Sequence, residues 1–154
     1  MSNQLDKFSQ DDNGESLLDP KASSLTFYEK GAWALKALYT IIGDKAFKKG
    51  IKSYLQTHKF ENVTVTNFLT EMEDASGQDL SNFKKDWLLD TKFPMDEAKR
   101  ILIEDSPSIA TFYKLQRELS VSKENNSVII DRYWKNTSSI ELKKHIVQFY
   151  IKSL

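Results

Sequence analysis

Cysteine is absent from the 154 residues. Disulfides, thiolate metal sites and cysteine nucleophiles are therefore excluded, while the redox compartment stays open because such an absence fits either side of a membrane. Histidine is nearly absent too: His58 and His145 are the only two, and neither has a histidine partner four residues away. No sign of charge dominates, with 22 basic and 22 acidic residues and a formal net charge of zero, so electrostatics give no ground for a nucleic-acid partner or an anionic membrane surface. No run of about 18 apolar residues could span a bilayer, and the opening "MSNQLDKFSQDDNGES" lacks the basic and apolar regions of a secretory signal. Membrane insertion is not expected. Localisation and oligomeric state carry no signature in these residues.

Glycine and proline are scarce, at five and three, and each breaker therefore carries information. Residues 1–25 are rich in Asp, Ser, Asn and Gln and read as a loosely ordered polar arm. From Phe27 on the period is helical. Tyr28, Gly31, Leu35, Leu38, Tyr39 and Ile42 fall on one stripe, Gly43 ends that helix, and Asp44 is a natural N-cap for the next, whose buried stripe is Phe47, Ile51, Tyr54 and Leu55. Thr64 or Thr66 caps a third helix, which stops at "SGQD". A fourth carries Phe83, Trp87 and Leu88, and Pro94 breaks the chain after it. Further stripes follow at Ala98, Ile101 and Leu102, at Ile109, Phe112 and Leu119, at Ile129, Ile130 and Trp134, and at Leu142, Ile146 and Phe149; Pro107 suits a first helical turn. The alternation in "NVTVT" is too short to make a strand. The chain is expected to be all-α, an irregular bundle or array of about eight short antiparallel helices.

The helix over 27–42 is apolar on nearly every side, since Trp33, Ala34, Ala37 and Ile41 lie off its main stripe. A helix of that kind is normally covered all round, so an exposed apolar patch and self-association through it are expected. Periodicity alone makes Tyr28 a rim residue and Glu29 and Lys30 the solvated start of the helix. Gly31 is harder to place, because glycine in a helix costs roughly 0.5–1 kcal/mol against alanine; a close neighbour to its backbone is expected.

Taken in order, the parts between residues 28 and 94 resemble the segment of zinc aminopeptidases of the M1 (gluzincin) family that lies downstream of their metal site. The residues that carry this are Tyr28, Lys30, Gly31 and Ala32; Ile42, Gly43, Asp44 and Phe47; Gly50, Tyr54 and Leu55; Thr64; Ser76, Gly77, Asp79 and Leu80; Trp87; Phe93 and Pro94. The resemblance implies a parent enzyme that removes N-terminal residues from peptides with a zinc-bound water. It implies that Tyr28, the tyrosine of the Tyr-x-Lys-Gly turn, is catalytic and donates a hydrogen bond to the oxyanion of the tetrahedral intermediate, a role suited to a phenolic O–H beside a metal.

The family's His-Glu-x-x-His helix is not in the sequence, nor is its Gly-x-Met-Glu-Asn motif. A zinc site needs about three clustered protein ligands, and His58, at a helix end, and His145, in a lysine-rich turn, read as structural. The carboxylates of "EMEDAS" and "IEDS" read as solvated helix ends. The expected organisation is an arm over 1–25, the C-terminal part of an M1-type catalytic domain over 26–94, and the start of a helical C-terminal region over 95–154. Such a fragment binds no zinc, is inactive alone, and packs against an upstream catalytic half. A free-standing helical interaction module without catalysis is the alternative.

Overall fold

The structure, a computed structural model, describes residues 14–152, with side chains described as far as Tyr150. Residues 1–13 of the expected polar arm lie outside the described residues. The fold is all-α, as expected, with eight α-helices, two π-helical segments and no strand among the described residues. The chain divides into two compact units, one ending at Ala98 and the other beginning at Lys99.

In the first unit a widened π-turn, Thr26–Lys30, leads into α1 (Gly31–Ile42). Gly43, at φ 81° where a side chain would be strained, closes α1 with its N–H on the Tyr39 carbonyl (2.9 Å) and opens α2 (Asp44–Thr57) by accepting from Phe47 N (3.0 Å). One glycine thus serves both helices, and Asp44 is not the cap expected of it. It sits inside the first turn, where its carboxylate takes Lys48 at 2.8 Å and the Tyr39 hydroxyl at 3.2 Å.

Thr64 caps α3 (Val65–Ser76) with a capping box: Asn67 N donates to Thr64 Oγ1 (3.2 Å) while Thr64 N donates to Asn67 Oδ1 (2.9 Å). Gly77, in the left-handed region at φ 69°, ends it. A short α4 (Ser81–Phe83) runs on as a second π-helix, Lys84–Leu89, which buries Trp87.

The face of α1 turned inward keeps only Leu38 and Ile42 of the expected stripe. Trp33, Ala34, Ala37, Leu38 and Ile42 are buried, while Tyr28, Leu35 and Tyr39 of the predicted stripe are exposed. Trp33 and Trp87 both meet Phe93 edge-on, with ring centroids at 6.2 and 5.7 Å. This aromatic cluster explains the choice, because burying two indoles and a phenyl ring removes far more apolar area from water than Leu35 and Tyr39 could. α2 and α3 pack closest at Gly50, whose position lies against Met72, Ala75 and the Glu71 carbonyl.

α5 (Met95–Asp105) spans the division between the units. The second unit continues with α6 (Pro107–Val121), α7 (Asn126–Lys135) and α8 (Ile140–Lys152). Ser106 caps α6 and Pro107 takes its first turn, where the missing N–H costs nothing. Phe112, Leu115, Ile129, Leu142 and Ile146 form this unit's core. His145 lies within α8 rather than in a turn, its ring 5.3 Å from that of Phe112, and burial pushes its imidazole below the ordinary value.

Candidate functional site

Tyr28 sits in the middle of the π-turn. The widening is visible in the backbone, where the Gly31 N–H reaches the Thr26 carbonyl five residues back. Burial alternates sharply across the turn: Thr26 and Lys30 at its ends are fully covered, whereas Phe27, Tyr28 and Glu29 between them face solvent. Tyr28 is 79% exposed, and its hydroxyl makes no hydrogen bond among the described residues. Beyond it Ala32, Leu35 and Tyr39 are also exposed. At helical spacing these continue the same side of α1, so an apolar row runs away from the tyrosine along the surface.

What holds the turn comes from outside it. Oε2 of Glu15 accepts from Ser23 N (2.8 Å), Ser23 Oγ (2.7 Å) and Thr26 Oγ1 (2.7 Å). These bonds, that from Thr26 foremost, hold the Glu15 carboxyl below its usual value. A carboxylate at a helix start also faces the positive end of the peptide dipoles. Ser16 Oγ donates to the Leu88 carbonyl at 2.8 Å, tying this strap to the second π-helix. Lys30 Nζ donates to the carbonyls of Glu15 (2.9 Å), Asp90 (2.7 Å) and Thr91 (3.4 Å).

Sequence reasoning took Lys30 for a solvated residue and passed over Glu15 and Thr26. A signal was present: Lys30 shares the i, i+4, i+7, i+8 face of Ala34, Ala37 and Leu38, all buried. Gly31 does not meet the close neighbour expected of it. A Cβ there would touch only Leu17 Cδ2, at an ordinary 3.8 Å.

The remaining candidates stay apart. His58, at the end of α2, faces Glu61 (3.8 Å) and Glu71 (3.6 Å), the spacing of an ion pair for a protonated imidazole. Glu73 is engaged in accepting from Leu80 N at 2.8 Å. Among the described residues no three His, Asp or Glu side chains are grouped so as to hold a metal ion. The donors among the described residues thus do not fit a zinc centre.

Residues 17–87 match the Peptidase family M1 domain. Aminopeptidase N of Escherichia coli is 37% identical over 76 residues, covering 49% of this chain and 9% of that protein. Aminopeptidase N of Caulobacter vibrioides is 47% identical over 58 residues, 38% of this chain and 7% of that protein. Probable aminopeptidase 1 of Sulfurisphaera tokodaii is 22% identical over 139 residues, 80% of this chain and 18% of that protein. The chain thus spans only a small part of the length of the curated relatives it matches. No solved structure matches it. Residues 17–87 are thus similar to the Peptidase family M1 domain, and the likeness to aminopeptidases lies in that segment.

Proposed function

We propose that this chain is the downstream part of an M1-type zinc aminopeptidase that removes N-terminal residues from peptides, with Tyr28 as its catalytic residue. Residues 26–94 then belong to the parent's catalytic domain and residues 95–154 begin a helical C-terminal region. Zinc is held by parent residues outside this chain, and the chain is inactive alone.

The observation that carries this reading is the state of Tyr28 within the matched segment: an exposed phenol, its hydroxyl without a hydrogen bond among the described residues, on a turn whose two ends are buried. A hydroxyl committed to an internal partner could not be offered to an oxyanion, whereas one held outward on a fixed turn is preorganised for it. In the tetrahedral intermediate the Tyr28 O–H donates to the oxygen on which negative charge collects. The exposed row of Ala32, Leu35 and Tyr39 is the surface on which the parent's upstream half packs.

In the parent, Tyr28→Phe is expected to keep the fold and the zinc while lowering kcat by about 10²- to 10³-fold, the range for losing one preorganised donor, with KM changing much less. Unchanged turnover of an aminoacyl reporter by that variant would reject the role. The chain by itself, dialysed free of metal and reloaded with zinc, is expected to show no turnover; a helical interaction module would behave alike there, but would have no parent on which Tyr28→Phe acts.

A further inference from the structure

The lysine two residues after Tyr28 is the most unusual group in the first unit. Lys30 is 0% exposed although Tyr28 and Glu29 beside it face water. An ammonium carries three protons and no acceptor, and burying it is costly unless those protons are bound. Here the Glu15 carbonyl at 2.9 Å and the Asp90 carbonyl at 2.7 Å take short bonds, with that of Thr91 at 3.4 Å. Those carbonyls come from two remote places, the strap before the turn and the loop after the second π-helix. The loop is itself held by Phe93 between Trp33 and Trp87.

Glu15 reaches both ends of the turn. Its carboxylate binds the Thr26 hydroxyl and its carbonyl binds Lys30 Nζ, so one residue clasps the first and last positions of Thr26–Lys30. A π-turn is an unfavourable form of helix that persists where its surroundings over-determine it. The clasp supplies that determination, and the three residues inside it are exposed.

We propose that Lys30 is a positioning residue: its buried ammonium, bound to the carbonyls of Glu15, Asp90 and Thr91, locks the widened turn and so fixes the direction in which Tyr28 is presented. The proposal rests on Tyr28 being the oxyanion donor. Arginine cannot replace this lysine, because a planar five-donor guanidinium does not fit three carbonyls arranged for a compact ammonium.

The test uses the full chain and amide hydrogen exchange. In Lys30→Met, which keeps the apolar stem, amides 27–31 are expected to exchange about tenfold faster or more, while those of α2 and α3 keep their wild-type rates. Wild-type rates at 27–31 would overturn the proposal. Should Lys30→Met fail to fold, the wild-type chain answers by nitrogen-15 NMR of its lysine ammonium groups. Lys30 is expected to give a proton-protected signal distinct from the surface lysines, and an ammonium exchanging as fast as theirs would overturn the assignment.

The catalytic half is read in the parent. Lys30→Met should lower kcat with zinc content retained and KM within about twofold, and Lys30→Met combined with Tyr28→Phe should be no slower than Tyr28→Phe alone, since residues acting as a unit are not additive. Additive losses would mean Lys30 acts elsewhere. The two readings fail separately: Tyr28→Phe with full turnover removes the tyrosine's role but leaves the exchange result standing, and unchanged exchange removes the lysine's role but leaves the tyrosine's.

Discussion

Two helical glycines in the first unit should respond to the same substitution with opposite signs. At Gly50 an added Cβ would stand 2.6 Å from Met72 Sδ, 3.3 Å from Ala75 Cβ and 3.3 Å from the Glu71 carbonyl oxygen. The thioether is adaptable, but Met72 is fully buried, and the other two atoms belong to the body of α3. Relieving all three contacts means moving α2 and α3 apart. Overpacking of this kind costs about 1–3 kcal/mol, against a gain of about 1 kcal/mol from replacing glycine inside a helix. Gly50→Ala should therefore be destabilising, by up to about 2 kcal/mol net. At Gly31, whose backbone is ordinary right-handed helix, the new methyl would meet only Leu17 Cδ2 at 3.8 Å. Nothing opposes the propensity gain there, and Gly31→Ala should stabilise by about 0.5–1 kcal/mol. Urea titrations followed by the fluorescence of the buried Trp33 and Trp87 would measure both. A Gly50→Ala chain as stable as wild type, or a Gly31→Ala chain less stable, would refute the steric reasoning.

Thr64→Ala removes the half of the capping box in which Thr64 Oγ1 accepts from Asn67 N and should cost about 1 kcal/mol, read as a lower urea midpoint, while Thr66→Ala, at the second position of α3, should change little. Partial burial pushes the folded value of the His145 imidazole below that of the unfolded chain. The unfolded state then binds the extra proton first, so the contribution of His145 is complete above about pH 6.5 and is lost as pH falls through the lowered folded value. Unfolding of the second unit followed against pH should show that loss, and His145→Phe should abolish it.

Most of the helices were legible because their signals are local. Thr64 with Asn67, Pro107 at a first turn, and Gly43 and Gly77 at helix ends act within four residues, and a sequence displays that distance directly. The inward face of α1 was not legible, because that helix is apolar on two sides and hydrophobicity alone cannot tell which side meets Phe93, some sixty residues away. The same reason hid Lys30. A charged residue at a helix start is ordinarily wet, and only the carbonyls of Asp90 and Thr91, brought up by the fold, make its burial possible. Gly31 drew notice by its place in a motif, whereas the close approach belongs to Gly50, where two helices cross. Tyr28 stood out through the order of the motifs around it and not through periodicity, which makes it only a rim residue.

The limits of the family match and of the structural site differ in an informative way. The match runs from residue 17 to residue 87 and contains Tyr28, Lys30 and the helices behind them. The groups that hold the turn lie just beyond both limits: Glu15 on one side, Asp90 and Thr91 on the other, with Phe93 packing the loop. Of the five acceptors in this clasp, four are main-chain or near-main-chain features: three carbonyls contacted by Lys30, and the Leu88 carbonyl contacted by Ser16. A carbonyl is supplied by any residue, so these contacts of Lys30 do not depend on the side chains at 90 and 91. The structural unit around the turn is therefore the one closed by its hydrogen bonds and ring contacts, from Glu15 to Phe93.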